Sequence, residues 1–314
     1  MAWVALNCPQ CSAPLPRVAI WRSVKCPSCG ALITRTESVV TRDSFRQALA
    51  RARQSYGSPG GDVQCGGEGY HLVQLLGGGE VSQVYLAKRI GGLPFLATLK
   101  LSTSPAAATQ YAREAQVLQE LQAAQNGGGS AYFAKNFPVV VAQGAVEGDG
   151  VRHFLAMRHA HGFWGSLAAL NARFPKGLDP RHAVWIWRRM LDVLQFIHVQ
   201  DWAHGDVRPE HALVHPENHG VQLIGWASAK RGASKKDQAA DLQRSARVVL
   251  VLLCGASSSG IVPAAVPTEL AQLVTQASED DAFCRQEGAQ GLDVLLKTAA
   301  RAAFGPPTFV PLVI

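Results

Sequence analysis

No stretch of this chain is long and apolar enough to span a bilayer. The longest strongly hydrophobic run, Val248 to Cys254, falls far short of the ~20 residues a span needs. The opening MAWVALNCPQC has no basic segment leading into an apolar one, so no secretory signal is expected. Both absences point to a cytoplasmic protein without membrane contact. A large excess of either charge is also missing. Thirty basic residues against 23 acidic ones leave a formal charge of +7, too mild to mark a nucleic-acid binder. Internal repeats are absent. What is present is ordinary globular material: 47% hydrophobic and 17% charged residues, with a mean hydropathy of +0.04, which excludes a disordered tail. At 314 residues the chain allows two domains, or one large domain with an appendage.

Four of the seven cysteines sit near the start as two pairs, Cys8-Pro-Gln-Cys11 and Cys26-Pro-Ser-Cys29, with fourteen residues between the pairs. Each pair bends the backbone so that two thiolates point at one ion. Pro9 and Pro27 suit the tight turn, and Gly30 relieves crowding after the second knuckle. This spacing predicts a structural Zn²⁺ ribbon over residues 1–35, with four sulfurs and no open coordination position. Two disulfides suit a cytoplasmic chain poorly, and a redox CxxC normally occurs once, near a βαβ pattern. So short a segment has little core, and the metal would supply much of its folding energy. Cys65, Cys254 and Cys284 are scattered, and Cys254 lies in an apolar run that reads as core.

Residues 38–56 read as a connector helix, with Val39, Val40, Phe45 and Leu49 on a partial apolar face and Arg42, Arg46, Arg51 and Arg53 elsewhere. GSPGGDVQCGGEG at 57–69 reads as a Gly-rich linker closing a 36–69 connector. Beyond it, strands are predicted at His71–Leu76, Val84–Lys88 and Phe95–Leu101, a helix at Ala106–Gln122, and strands at Val139–Gly144 and His153–Met157. From Pro180 onward the pattern is mostly helical. A sheet-rich part followed by a helical part predicts a two-lobed α+β domain. Trp164, Trp185, Trp187, Trp202 and Trp226 are expected to pack the helical lobe.

Five segments in this domain, in order, resemble motifs of protein kinases. Leu76-Gly-Gly-Gly-Glu-Val-Ser-Gln-Val-Tyr85 is similar to the glycine-rich loop: Gly77 and Gly79 match its first two glycines, Ser82 replaces the third, and Val84 matches the valine that packs on adenine. Ala97-Thr-Leu-Lys100 resembles the strand carrying the phosphate-binding lysine, and Glu114 matches the helix glutamate that pairs with it. His204-Gly-Asp206-Val-Arg208-Pro-Glu-His211-Ala-Leu213 resembles the catalytic loop. There Asp206 matches the general base, and Arg208 stands for the lysine that steadies the transferred phosphate. Asp241, opening a long apolar helix, matches the aspartate that braces that loop. The resemblance implies an α+β, bilobal protein-kinase-like fold over residues 70–314, with an N-lobe at about 70–157 and a C-lobe at about 158–314, preceded by the four-Cys ribbon. It also implies an ATP site at Gly77, Gly79, Val84, Lys100 and Glu114.

The departures fall on the magnesium ligands. The catalytic-loop asparagine is His211, and the aspartate expected after Leu223-Ile224 is Gly225, so that segment reads Gly225-Trp226-Ala227. Glycine offers no side-chain oxygen, and Mg²⁺ prefers carboxylate, carbonyl and water oxygens to imidazole. The arginine of the loop is Gly205, and only fifteen residues separate Gly225 from Asp241. Losing both ligands should cost several kcal/mol of transition-state stabilisation, or a rate loss of about a thousand-fold or more. The expectation is a pseudokinase. It would act as a signalling or scaffold protein that binds ATP without efficient transfer, holds Mg²⁺ poorly, and docks a protein partner through its ribbon. An atypical ATP-dependent Ser/Thr kinase or nucleotidyltransferase is the alternative, with His211, Glu217 or Asp237 as a substitute metal ligand. A nucleic-acid adaptor is the weaker one, because the ribbon has few aromatics and no dense basic stripe. The histidines near Met157 and the group His204, His211, His215 and His219 read as polar loop positions rather than a second metal site.

Overall fold

The computed structural model describes residues 23–25, 32–34, 61–78, 82–93, 95–123, 136–148, 152–255 and 262–314. Near the start, β1 (Ser23–Lys25) pairs antiparallel with β2 (Leu32–Thr34), Val24 opposite Ile33. That hairpin brackets Cys26 and Cys29 in sequence. The four ribbon cysteines and the helix expected at 38–56 lie outside the described residues.

The first lobe is one antiparallel sheet of six strands. In chain order they are β3 (Asp62–Cys65), β4 (Glu68–Gly78), β5 (Gln83–Ile90), β6 (Leu96–Ser102), β7 (Val140–Ala145) and β8 (His153–Arg158), with α1 (Pro105–Ala123) between β6 and β7. Their spatial order is β3-β4-β5-β6-β8-β7. Alternation along the strands sends Val63, Tyr70, Ala87, Ala97, Leu99, Leu101 and Phe154 into one shared core. Burying side chains the size of Tyr70 or Phe154 is worth about 1.5–3 kcal/mol each relative to exposure.

One expectation needs correction. Residues 62–69, assigned above to a flexible linker, form β3 and the start of β4, with Asp62 opposite His71 and Cys65 opposite Glu68. Gly66 and Gly67 lie at φ +63° and +77°, the left-handed pair that a two-residue hairpin turn demands. The glycines there serve the turn, while Val63 and Cys65 alternate into the core as strand residues do.

The second lobe is helical, with short ribbons of strand. Its elements are β9 (Gly165–Ser166), α2 (Leu167–Arg173), α3 (Pro180–Val199), β10 (Trp202–Ala203), β11 (Ala212–His215), β12 (Gly220–Leu223), β13 (Lys230–Arg231), α4 (Lys235–Cys254), α5 (Thr268–Glu279) and α6 (Asp281–Phe304, kinked at Gly288). Pro180 opens α3 behind an Asp179 cap that accepts from the Arg181 N–H. Ile186, Trp187, Leu191 and Leu194 of α3 share a core with Leu242, Val249 and Leu253 of α4. A capping box of Ser234 and Asp237 starts α4, and Gly255 at φ +63° follows its end. Trp187, Trp202 and Trp226 are buried as expected, and so is Cys254. Trp164 is not: it is 45% exposed, in the segment just before β9. No helix among the described residues is long and apolar enough to cross a membrane.

Candidate functional site

The cleft between the lobes has a wall from each. On the sheet side, Leu99 and Leu101 of β6 enter the sheet core, which leaves Lys100 on the face toward α1. Its ammonium lies 2.8 and 2.7 Å from the two carboxylate oxygens of Glu114. Their side chains are only 15% and 4% exposed. Two charges this dry are costly unless matched, and removing either leaves the other stranded. Val84 lies opposite Lys100 in the ladder, and Gly77 opposite Val84. Gly79 lies outside the described residues. Ser82, at the third-glycine position, accepts a 2.6 Å hydrogen bond from the hydroxyl of Tyr111 on α1.

On the helical side the loop around His204 hangs from one carboxylate. Asp241, fully buried on α4, accepts from the backbone N–H of His204 (2.6 Å) and of Gly205 (2.9 Å), with His198 Nε2 at 3.3 Å. Arg244, one turn on, donates to the Gly205 carbonyl. His204 accepts from the Asp206 N–H at Nδ1 and donates from Nε2 to the Ile224 carbonyl, while complete burial lowers its pKa. Gly205 sits at φ +81°, and a Cβ there would come within 2.5 Å of the Ser228 carbonyl oxygen. An arginine at this position would therefore have to push the following segment away.

The floor holds Asp206, Arg208, His211 and Gly225. His211 Nδ1 is 3.0 Å from the Asp206 carbonyl oxygen and 3.1 Å from Asp206 Oδ2, and Arg208 Nη2 is 3.1 Å from His211 Nε2. With Nδ1–H donating to Asp206, Nε2 accepts from Arg208 Nη2, and the 3.3 Å approach of Arg208 Nε to Nδ1 is then a close contact and not a hydrogen bond. Burial pushes the His211 imidazole below its ordinary pKa, against the opposing pull of the Asp206 carbonyl and carboxylate. The ring lies over Gly225. A Cβ on Gly225 would sit 2.8 Å from both Cε1 and Nδ1 of His211, and the backbone there has φ +80°. Only glycine fits beneath this ring without moving it. Next in the chain, the buried Trp226 packs edge-on against His204, and its backbone N–H reaches Glu114 Oε1 at 3.4 Å.

The structure thus gathers Lys100, Glu114, Asp206, Arg208 and His211 around one cleft, with Val84 and Gly77 on its upper side. Of the proposed substitute metal ligands, only His211 is there. Asp237 spends its carboxylate on Ser234 and Lys230, contacts that lower its pKa to about 2, and Glu217 lies in the turn between β11 and β12. Among the described residues no group of three or more His, Cys, Asp or Glu side chains is placed to hold a metal ion. Two residues that shape the site are not singled out by sequence reading. Tyr111 ties the loop before β5 to α1, and Arg113 donates to the Ala229 carbonyl. For Tyr111 a signal exists, since it lies one helical turn before Glu114.

No family model and no curated protein matches the chain in sequence. Its fold is similar to that of the PknI kinase domain of Mycobacterium tuberculosis, solved as a cysteine-to-alanine mutant, with a TM-score of 0.53 and 21% identity over 74% of this chain and 95% of that one. The sheet lobe, the helical lobe and this likeness together define a protein-kinase-like fold.

Proposed function

We propose that this protein is a pseudokinase: a kinase-like domain that takes a nucleotide without divalent metal, transfers phosphate weakly or not at all, and serves signalling through its surface. The carrying observation is the His211 ring seated on Gly225. The residues present do not fit a pair of Mg²⁺ ions, because one ligand position is glycine and the other an imidazole hydrogen-bonded to Asp206 and Arg208. What favours a retained nucleotide is the intact Lys100–Glu114 pair on the opposite wall. Cys8, Cys11, Cys26 and Cys29 would hold one structural Zn²⁺ and present a docking surface for a protein partner.

Thermal stability of the full chain with ATP, in EDTA and in Mg²⁺, tests the first claim. Equal shifts in both are expected. A shift that requires Mg²⁺, or transfer of radiolabelled γ-phosphate lost in Asp206→Ala, overturns it in favour of an atypical kinase. Metal analysis on the same sample tests the second, with one zinc per chain expected.

A further inference from the structure

Side chains directly opposite each other in neighbouring strands share one face of the sheet. Lys100 lies opposite Val84 on β5 and Leu155 on β8, and Thr98 lies opposite Leu86 and Met157. Thr98 and Lys100 are two residues apart on β6, so both look into the cleft. Just past β8, the backbone N–H of His159 donates to the Leu96 carbonyl at 3.0 Å and carries the ladder one step further. Alternation from Met157 puts the His159 ring on this same face, and its Nδ1 stands 3.1 Å from the Thr98 hydroxyl. The ring is half-buried, and burial holds it below its ordinary pKa, so it is neutral at neutral pH. His161 packs edge-on against it, 5.6 Å between ring centres. Leu86 and Met157 are buried beside Thr98 and make the surroundings apolar. Nε2 of His159 has no hydrogen-bond partner among the described residues. His159 and His161 also line an open cavity of about 400 Å³ at this end of β6, so the ring is reached from outside.

From this placement we infer that His159 is the specificity-determining residue of the cleft: its ring, aimed by Thr98, contacts the flat heteroaromatic base of a nucleotide whose phosphates lie toward Lys100. Thr98 and Lys100 are ~7 Å apart along the strand, which leaves room for a sugar between the two contacts. With Nδ1 engaged by Thr98, Nε2 is the nitrogen left for the base. A polar group that bonds the edge of one base is left unpaired by another, and that difference selects between them. Thr98 acts through His159 and is a positioning residue. The inference rests on the reading that the cleft takes a nucleotide.

Calorimetric titration of the full chain in EDTA with ATP, GTP, CTP and inorganic tripolyphosphate tests it. One nucleotide is expected to bind about ten-fold or more tighter than tripolyphosphate and than the least favoured base. His159→Ala should erase both preferences while the affinity for tripolyphosphate stays the same, which also shows that the variant is folded. Thr98→Val keeps the shape and removes the hydroxyl, and it should lower the preference among bases in part. A preference that survives His159→Ala, or equal binding of tripolyphosphate and all three nucleotides by the native chain, overturns the assignment and leaves a phosphate-binding cleft in place. Failure of all four compounds to bind removes the nucleotide reading itself, and this inference with it.

Discussion

On the sheet side of the cleft Lys100 and Glu114 form a two-contact ion pair, whereas on the helical side an imidazole ring, His211, lies over a glycine, Gly225. The difference shows that the two walls of this cleft are held by separable means. The upper wall is fixed by opposite charges in a dry setting, and neither can leave alone. The lower wall is held open by Asp241, which grips backbone N–H groups and needs no cation to do so. Because the loop is shaped by its own hydrogen bonds, the side chains at 211 and 225 are not needed to hold it. The two fit as a pair, the ring of His211 filling the place a side chain at 225 would take.

The largest expected effect strikes the brace itself. Asp241→Ala should destabilise the domain by about 3–5 kcal/mol, because the buried His204 N–H, the half-buried Gly205 N–H and the His198 imidazole lose their acceptor together. Urea unfolding measures this. A loss below about 1 kcal/mol would mean that the lower wall is not built on Asp241.

Next in size is the fit between His211 and Gly225. Gly225→Asp forces a side chain into a left-handed backbone beneath a ring, at a cost of about 2–4 kcal/mol. In a His211→Asn background the ring is gone and only the backbone strain remains. The cost should then fall by about 1 kcal/mol or more, a coupling read from a double-mutant cycle. On the pseudokinase proposal, the double variant is also where Mg²⁺ dependence of ATP binding emerges. Additive costs would show that the two replacements are independent.

Much of this is legible in the chain. The strands from β4 to β8 and α1 fall within a few residues of their predicted limits, because apolar alternation and helical spacing there are long enough to mark each element. Lys100, Glu114, Asp206 and Asp241 stand out through the kinase-like motifs that carry them, and the structure places the first three around one cleft with Asp241 beneath its loop. The hairpin at Gly66-Gly67 reads wrongly as linker because glycine-rich composition is shared by linkers and by turns, and only the positive φ values separate them. The seating of His211 on Gly225 is not readable at all. Both replacements are visible as losses, but their mutual fit depends on three-dimensional approach across about fourteen positions of chain.

Acid offers a smaller way to separate the walls. Burial lowers the pKa of His204 and His211 on the lower wall, and farther off it pushes His219 to about 4. His219 is stacked between Trp185 and Phe309 and bonds the Val310 carbonyl at 2.9 Å, so it clamps the C-terminal tail. A histidine of ordinary pKa near 6.5 in the unfolded chain takes up its proton there first. Stability therefore falls as pH drops from about 6.5 toward 4, by on the order of 2 kcal/mol for His219. Trp185 fluorescence should report release of the tail in this window, and His219→Gln should flatten the profile. The Lys100–Glu114 pair should keep its hydrogen-exchange protection at that stage. Upper-wall loss ahead of the tail would contradict the order.

The smallest effect tests whether the upper wall extends beyond its ion pair. Tyr111 is buried, and burial raises its phenol pKa, so at neutral pH it is a hydroxyl that donates to Ser82 Oγ. Tyr111→Phe removes that donor and keeps the ring, while the half-buried Ser82 hydroxyl can turn to water. The cost should be about 0.5–1.5 kcal/mol. Ser82→Gly, which restores a third glycine to the loop, removes the acceptor instead. The two changes should not add, since each breaks the same bond. Amide exchange at Gln83 and Val84 should quicken in both variants, while exchange at Lys100 stays slow. If exchange at Lys100 quickens equally, the hydroxyl bond and the ion pair open as one unit, and the upper wall is a single cooperative structure rather than a charged pair with a latch beside it.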